Sequence, residues 1–138
     1  MEKHFVVYGK PVGKGRPRFN TRTGNAYTPD KTRKEEAKIR LAFKDQCGFG
    51  IFFTTSYLKV IIEAFYPYSK GDSKATKEQK MMGILKPDKK PDIDNIIKLY
   101  LDALNHFAWD DDKQVVEVHG LKAYYDGPGK VEVTIIEV

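Results

Sequence analysis

Short apolar runs bounded by turn residues predict four β-strands. Phe5–Tyr8 is an apolar run that ends at Gly9, a pattern typical of a strand. Residues 57–66 are rich in Ile, Val and aromatic side chains and predict a buried strand. Two further strands are predicted over 114–125 and 131–138, because the turn sequence Asp126-Gly127-Pro128-Gly129 separates two runs rich in β-forming residues.

Two other segments have helical periodicity. The first, 30–46, follows Thr28 as a predicted cap and Pro29 as the first helical residue. Its apolar residues at helical spacing are Ala37, Ile39, Leu41, Ala42 and Phe43. The second helix is predicted over 93–107. Its apolar positions, at i, i+4, i+8 and i+11, are Ile93, Ile97, Leu101 and Leu104.

The connecting segments are polar and basic. Residues 9–27 hold four glycines and two prolines and predict a loop or hairpin. Residues 67–90 carry seven lysines and are expected to form a mobile basic loop, with a short helix around 75–82. The order β-α-β-loop-α-β-β predicts an α+β (mixed α/β) fold: one small domain over 1–138, with two main helices packed on a mixed sheet.

Composition excludes several classes of protein. The single cysteine, Cys47, excludes an internal disulfide and a Cys-rich zinc site. No apolar run approaches the roughly 20 residues that span a bilayer, and the first residues lack a signal-peptide pattern. We therefore expect a soluble, cytoplasmic protein with no membrane partner.

The distribution of charge is uneven. Residues 1–90 carry 20 Lys/Arg and 9 Asp/Glu, whereas residues 91–138 carry 4 Lys and 10 Asp/Glu. A basic region of this kind commonly meets nucleic acid. Carboxylates repel phosphates unless a metal ion lies between them, so the acidic residues of 91–138 need a separate explanation. Two differently charged solvated faces are the alternative.

The acidic residues form a pattern at the second long helix. Asp92 and Asp94 flank Ile93, which is expected to anchor the backbone in the core, and Lys98 lies one turn after Asp94. Asp102 follows on the same face, and an acidic run, Asp110-Asp111-Asp112, comes after the helix. We expect Asp112 or Asp111 to reach the Asp92–Asp94 pair if the helix and the next strand pack side by side.

Such carboxylates suit a divalent ion that also binds phosphate oxygens. The alternative is structural, because aspartates at a helix N-terminus also cap free N–H groups.

Three segments together resemble a known family. They are 91–98 (PDIDNIIK), 101–105 (LDALN) and 109–115 (WDDDKQV), and they are similar to the core of the RusA-type Holliday junction resolvases. The opening segment 9–19 (GKPVGKGRPRF) also resembles that family's first loop.

The resemblance implies a small homodimeric endonuclease that depends on Mg²⁺, with Mn²⁺ as an alternative ion, and cuts four-way DNA junctions by paired symmetric nicks. It implies catalytic and metal-binding roles for Asp92, Asp94 and Asp112, with Asp111 as a possible ligand in place of Asp112, and makes Lys98 the catalytic lysine.

Basic residues that precede the acidic pattern along the chain are predicted to contact DNA phosphates. In the opening loop, Gly13 and Gly15 are expected to let the backbone approach a phosphate. The predicted DNA-binding residues are Lys14, Arg16, Arg18, Lys70, Lys74, Lys77, Lys80, Lys89 and Lys90. For any one of them the alternative is a solvated side chain.

Three functions remain open at this stage. The leading hypothesis is a structure-selective DNA endonuclease of recombination and repair. The second is a non-catalytic nucleic-acid-binding module with structural carboxylates. The third, a hydrolase of small phosphoesters, is disfavoured because a small substrate needs no wide basic surface.

Overall fold

A computed structural model describes residues 1–138 and has an α+β fold built on one mixed sheet. The sheet strands are β1 (Glu2–Tyr8), β4 (Leu58–Pro67), β5 (Val115–Tyr125) and β6 (Lys130–Glu137), in the spatial order β1-β6-β4-β5. Between β1 and β4 along the chain lie the short strands β2 (Arg18–Phe19) and β3 (Ala26–Tyr27), which pair as a separate hairpin. The predicted strands and the hairpin between residues 9 and 27 are therefore confirmed.

Alternation along the central strands places the core on one face of the sheet. In β4, every second residue from Leu58 to Ala64 is buried, and β6 repeats the pattern at Val131, Val133 and Ile135. Residues between them form ion pairs on the other face, such as Lys130 with Glu132. Only one face of the sheet is therefore covered by helices, as two-residue periodicity requires.

Three helices complete the fold: α1 (Asp30–Cys47), α2 (Lys74–Met81) and α3 (Ile93–Leu104). Helix α1 packs against β1 and α3. It begins one residue later than expected, because Pro29, and not Thr28, occupies the cap position. Ile39 and Phe43 are its buried apolar residues, whereas Leu41 is 57% exposed.

Three of the four predicted apolar positions of α3 belong to the core or pack against it: Leu104 is buried, and Ile97 and Leu101 are partly buried against the core. The buried residues of this helix are Ile96, Leu99, Tyr100, Ala103 and Leu104. Ile93 is 38% exposed, so the expectation that it anchors the core is wrong. Ile93 and Ile97 lie instead over Gly120 of β5, where an added Cβ would come within 2.8 Å of Ile97 Cδ1 and 3.3 Å of Ile93 Cδ1.

Strand β5 is an edge of the sheet. It pairs with β4 in parallel and has no neighbour on its other side. Val116, Val118 and Leu121 are 58%, 38% and 41% exposed. An open apolar strand edge of this kind is a ready template for pairing with another chain.

The segment between β4 and α3 contains the short helix expected around 75–82. Helix α2 is capped by Ser73, whose hydroxyl accepts a hydrogen bond from the Thr76 N–H. Lys80 on this helix is buried and pairs with Asp72. None of the three helices has the length and apolar character needed to cross a bilayer.

Candidate active site

Asp92 and Asp94 stand at the N-terminus of α3. Asp92 is the cap residue, and its backbone oxygen accepts hydrogen bonds from the N–H groups of Asn95 and Ile96. Its carboxylate makes no capping hydrogen bond. Both Asp92 and Asp94 are exposed. The structural alternative, a carboxylate used as a helix cap, therefore does not hold for Asp92.

Lys98 and Asp94 share the outward face of α3. They are one helical turn apart, and both are exposed. Asp102 follows one turn later, and its Oδ2 lies 3.1 Å from Nζ of Lys14 in the opening loop. The outward face thus carries a carboxylate and an ammonium group that solvent can reach.

The acidic run after α3 is fixed by buried neighbours. Trp109 is fully buried, and its Nε1–H donates to Asp112 Oδ1 at 2.8 Å. The Asp112 N–H donates to Asn105 Oδ1 at 3.0 Å. Burial raises the pKa of the Asp112 carboxyl; the carboxylates of Asp102 and Asp111 act in the same direction, and the Trp109 bond opposes them. Asp112 is therefore held in one place at a cost in electrostatic energy.

Asp111 is used differently from Asp112. Its carboxylate caps the short 3-10 turn that follows and accepts from the Lys113 N–H at 2.9 Å, and the Asp111 N–H donates to Gln114 Oε1 at 2.9 Å. The structural alternative thus holds for Asp111. Of the two neighbours, Asp112 is the better candidate for a ligand.

The two acidic groups lie at opposite ends of α3. Helix α3 runs antiparallel to β5, because its first turn lies over Gly120 while its end leads to Asp112 ahead of that strand. Eight residues separate Asp94 from Asp102, the neighbour of Asp112, which corresponds to roughly 12 Å of helix. No three carboxylate or histidine side chains gather closely enough to hold a metal ion. The expectation that Asp112 reaches the Asp92–Asp94 pair within one chain is wrong, because strand and helix run in opposite directions.

The opening loop packs tightly on α1 and α3. An added Cβ at Gly13 would lie 2.8 Å from Pro91 Cβ, and one at Gly15 would lie 2.6 Å from Thr32 Oγ1. The Lys14 N–H donates to the Asn95 oxygen, and the Gly15 N–H donates to Thr32 Oγ1. These glycines serve close packing against the protein, whereas the sequence predicted an approach to phosphate.

Lys14 connects three parts of the fold. Its Nζ lies 3.0 Å from Glu36 Oε1 on α1 and 3.1 Å from Asp102 Oδ2 on α3. Its side chain is only 16% exposed. Burial alone would lower the pKa of Lys14, but the hydrogen bonds and charges of Glu36 and Asp102 outweigh it, and the net shift is upward. Lys14 is therefore a charged link within the chain.

A basic cleft of about 810 Å³ opens between this loop and the start of α3. Asp92 lines one wall together with Pro91 and Asn95. The cleft's basic residues are Lys10, Lys14, Arg16, Arg18, Lys31 and Lys90. A negatively charged chain that entered this cleft would meet positive charges on the loop and the carboxylate of Asp92 on the wall next to α3.

The structure separates the nine predicted DNA-binding residues into two groups. Lys14 and Lys80 direct their ammonium groups into the fold; Lys80 Nζ lies 2.6 Å from Asp72 Oδ2, and its side chain is 9% exposed. Their charge is neutralised within the chain, so the prediction that they contact phosphate loses its physical basis. The other seven are exposed, and for them phosphate contact stays a prediction: Arg16, Arg18, Lys70, Lys74, Lys77, Lys89 and Lys90.

Several supporting residues were missed at the sequence level. Lys122 of β5 donates to the backbone oxygens of Lys89 and Pro91 at 2.6 and 2.9 Å and so holds the chain just before Asp92. Glu36 holds Lys14. Both contacts join residues far apart in sequence, and no local pattern signals them. Lys10 and Lys31 line the cleft, and in the sequence only their basic character indicated that they could bind phosphate.

Comparison of the sequence with known proteins identifies its family. The chain is 37% identical over 136 residues to an uncharacterized protein, YqaN, of Bacillus subtilis (strain 168), an alignment that covers 97% of this chain and 95% of the relative. The sequence profile of the endodeoxyribonuclease RusA matches residues 8–136, which include the cleft, α3 and the acidic run. The chain therefore belongs to the RusA endodeoxyribonuclease family.

Proposed function

We propose that this protein is a divalent-metal-dependent endonuclease that resolves four-way DNA junctions by paired nicks in recombination and repair. The observation that carries the proposal is the exposed Asp92–Asp94 pair, of which Asp92 lines a basic cleft. Five exposed basic residues of that cleft are not paired within the chain: Lys10, Arg16, Arg18, Lys31 and Lys90. Family membership supports the reaction class, because RusA is an endodeoxyribonuclease.

The Asp92–Asp94 pair suits a hydrated divalent ion. Mg²⁺ commonly takes one or two carboxylates and completes its shell with water and substrate phosphate oxygens. Asp92 has no capping bond to lose, and both side chains are open to solvent. When bound, Mg²⁺ or Mn²⁺ neutralises phosphate charge and lowers the pKa of bound water. We propose that Lys98, which is exposed on the same face of α3 as Asp94, holds a phosphate oxygen next to the carboxylates.

We propose that the active form is a homodimer joined through β5. Two free β5 edges that pair antiparallel across a two-fold axis make one continuous sheet, and their exposed valines meet. The two α3 helices then also run antiparallel. The start of one helix faces the end of the other, so Asp112 of one chain approaches Asp92 and Asp94 of the second chain.

Complementation between two inactive variants tests this sharing of residues. In a mixture of Asp94→Asn and Asp112→Asn chains, a shared site leaves one intact active site in each mixed dimer. We expect such mixtures to nick junctions on one strand, although each variant alone is inactive. If each chain builds its own complete site, the mixture stays inactive.

Incubation of a labelled four-way junction with and without Mg²⁺ tests the function itself. We expect symmetric paired nicks with Mg²⁺ and no product in EDTA, with the junction bound in both. A junction that is bound but never cut, at any concentration of Mg²⁺ or Mn²⁺, would instead support the non-catalytic binding module.

A further inference from the structure

Four large apolar side chains project from the end of α2. Met81, Met82, Ile84 and Leu85 are 69%, 71%, 63% and 39% exposed. We call these four residues the apolar tip. Soluble proteins seldom expose such a run without a partner, and the core and cleft described above do not use it.

Backbone hydrogen bonds define the conformation of the apolar tip. The N–H groups of Ile84 and Leu85 both donate to the Gln79 oxygen, at 2.9 and 3.3 Å. Gly83 allows this turn with a φ of 74°, a conformation that other residues rarely adopt. The tip therefore has a defined shape before any partner binds.

Buried contacts on both sides anchor the tip to the sheet. On the N-terminal side, Lys80 pairs with Asp72, and its Nζ lies 4.3 Å from the Tyr124 ring centroid on β5. On the C-terminal side, Pro87 is buried and Lys122 holds the backbone at Lys89. The tip is thus attached to the sheet and to the segment that leads into α3.

The surroundings of the tip indicate which partner it meets. Five exposed lysines flank it: Lys74, Lys77, Lys86, Lys89 and Lys90. Two copies of this tip would bring like charges together, which disfavours self-association through the tip. In this respect the tip differs from the β5 edge, where self-association is proposed. A polyanion with exposed apolar faces would pair its negative charges with the lysines and pack its apolar faces against the tip. DNA at a branch point has both features, because its phosphates are charged and its bases can be exposed.

We propose that the apolar tip inserts between bases at the branch point of the junction and so supplies selectivity for branched DNA. Met, Ile and Leu are side chains that proteins wedge between base steps, and the flanking lysines hold the adjoining phosphates. Leu85 is seven residues from Asp92, so the tip lies at most roughly 24 Å from the candidate site. This inference rests on the proposed function, since it assumes a junction as the substrate.

Fluorescence of 2-aminopurine placed at the branch point tests the insertion in EDTA, where no cutting occurs. We expect binding to raise the fluorescence of a base at the branch point but not of one in the middle of an arm. The double variant Met82→Ser/Ile84→Ser should lose this rise, and its preference for junction over duplex should fall roughly tenfold or more. Its duplex affinity and salt dependence should not change, because no charge is altered.

Leu41→Ser is the matched control. Leu41 is an exposed leucine of α1 outside the cleft, and its loss should leave fluorescence and junction preference unchanged. The proposal is overturned if the tip variant keeps the wild-type signal and preference, or if it weakens self-association in sedimentation without DNA. Wild-type protein that gives the signal but never cuts with Mg²⁺ would refute the proposed function and leave the insertion standing.

Discussion

Replacing Lys14 with Met tests whether this lysine stabilises the fold or binds DNA. Methionine keeps most of the aliphatic stem but removes the ammonium group that bridges Glu36 and Asp102. A charge-assisted hydrogen bond contributes about 1.5–3 kcal/mol. The bond to Asp102 counts for less, because that side chain is 36% exposed and solvent screens it. We expect a loss of about 2–3 kcal/mol in the free energy of unfolding.

Thermal unfolding measures this loss directly. For a domain of this size, 1 kcal/mol corresponds to a Tm change of about 3 °C, so Lys14→Met should lower the Tm by about 6–9 °C. Lys10→Met is the control, since it removes the same charge from an exposed lysine of the same cleft. It should leave the Tm nearly unchanged.

The pH dependence of the Lys14 effect has a defined sign. Because the pKa of Lys14 is raised in the folded state, its contribution is complete below the unfolded-state value of about 10.4. It is lost as pH rises through the folded-state pKa. The difference in stability between wild type and Lys14→Met should therefore be constant from pH 6 to 9 and shrink only above about pH 10.4.

Salt dependence of DNA binding completes the comparison. A lysine that contacts phosphate contributes roughly 0.9 to the slope of log affinity against log salt. Lys14→Met should keep the wild-type slope, whereas Lys10→Met should reduce it if Lys10 touches DNA. A Lys14→Met protein with unchanged Tm and a reduced slope would refute the assignment of Lys14 as an internal link.

Further predictions concern the other charged residues. Three exposed lysines lie on α2 or just before it: Lys70, Lys74 and Lys77. Changing all three to Ala should flatten the salt slope by up to about 2.7 and weaken duplex and junction binding alike. Adding Lys80→Ala should leave the slope as it is and lower the Tm, because Lys80 is paired with Asp72 inside the fold. Lys98→Ala should sharply reduce turnover at saturating DNA and keep the salt slope. In EDTA at neutral pH, Asp112→Asn should raise the Tm, since it removes a partly buried charge near two others and keeps an acceptor for Trp109; a lower Tm would contradict this reasoning.

Local patterns predicted the elements but not how they face one another. The strands and helices follow from periodicity, which is a property of neighbouring residues. The burial of Ile93 was predicted wrongly because the first turn of α3 lies over β5 at the sheet edge, where Ile93 approaches Gly120 and stays 38% exposed. Periodicity identifies an apolar stripe, but the depth of burial depends on what the fold places against it.

The same limit applies to the candidate site. The motif located Asp92, Asp94, Lys98 and Asp112, but the distance between the two acidic groups depends on the antiparallel arrangement of α3 and β5. The partners of Lys14 lie 22 and 88 residues away along the chain, at Glu36 and Asp102. Contacts over such separations form only in the folded chain, which is why a basic loop that suggested phosphate binding contains an internal ion pair.

Cleavage and binding of one junction by the Asp94→Asn variant test the central claim most directly. Asparagine keeps the shape of the side chain and removes the negative charge proposed to hold the metal. At saturating Mg²⁺ we expect no nicked product above the EDTA background, with junction affinity equal to or tighter than that of wild type because one charge facing the phosphates is gone. Cleavage at the wild-type rate would remove Asp94 from the metal site and contradict the account.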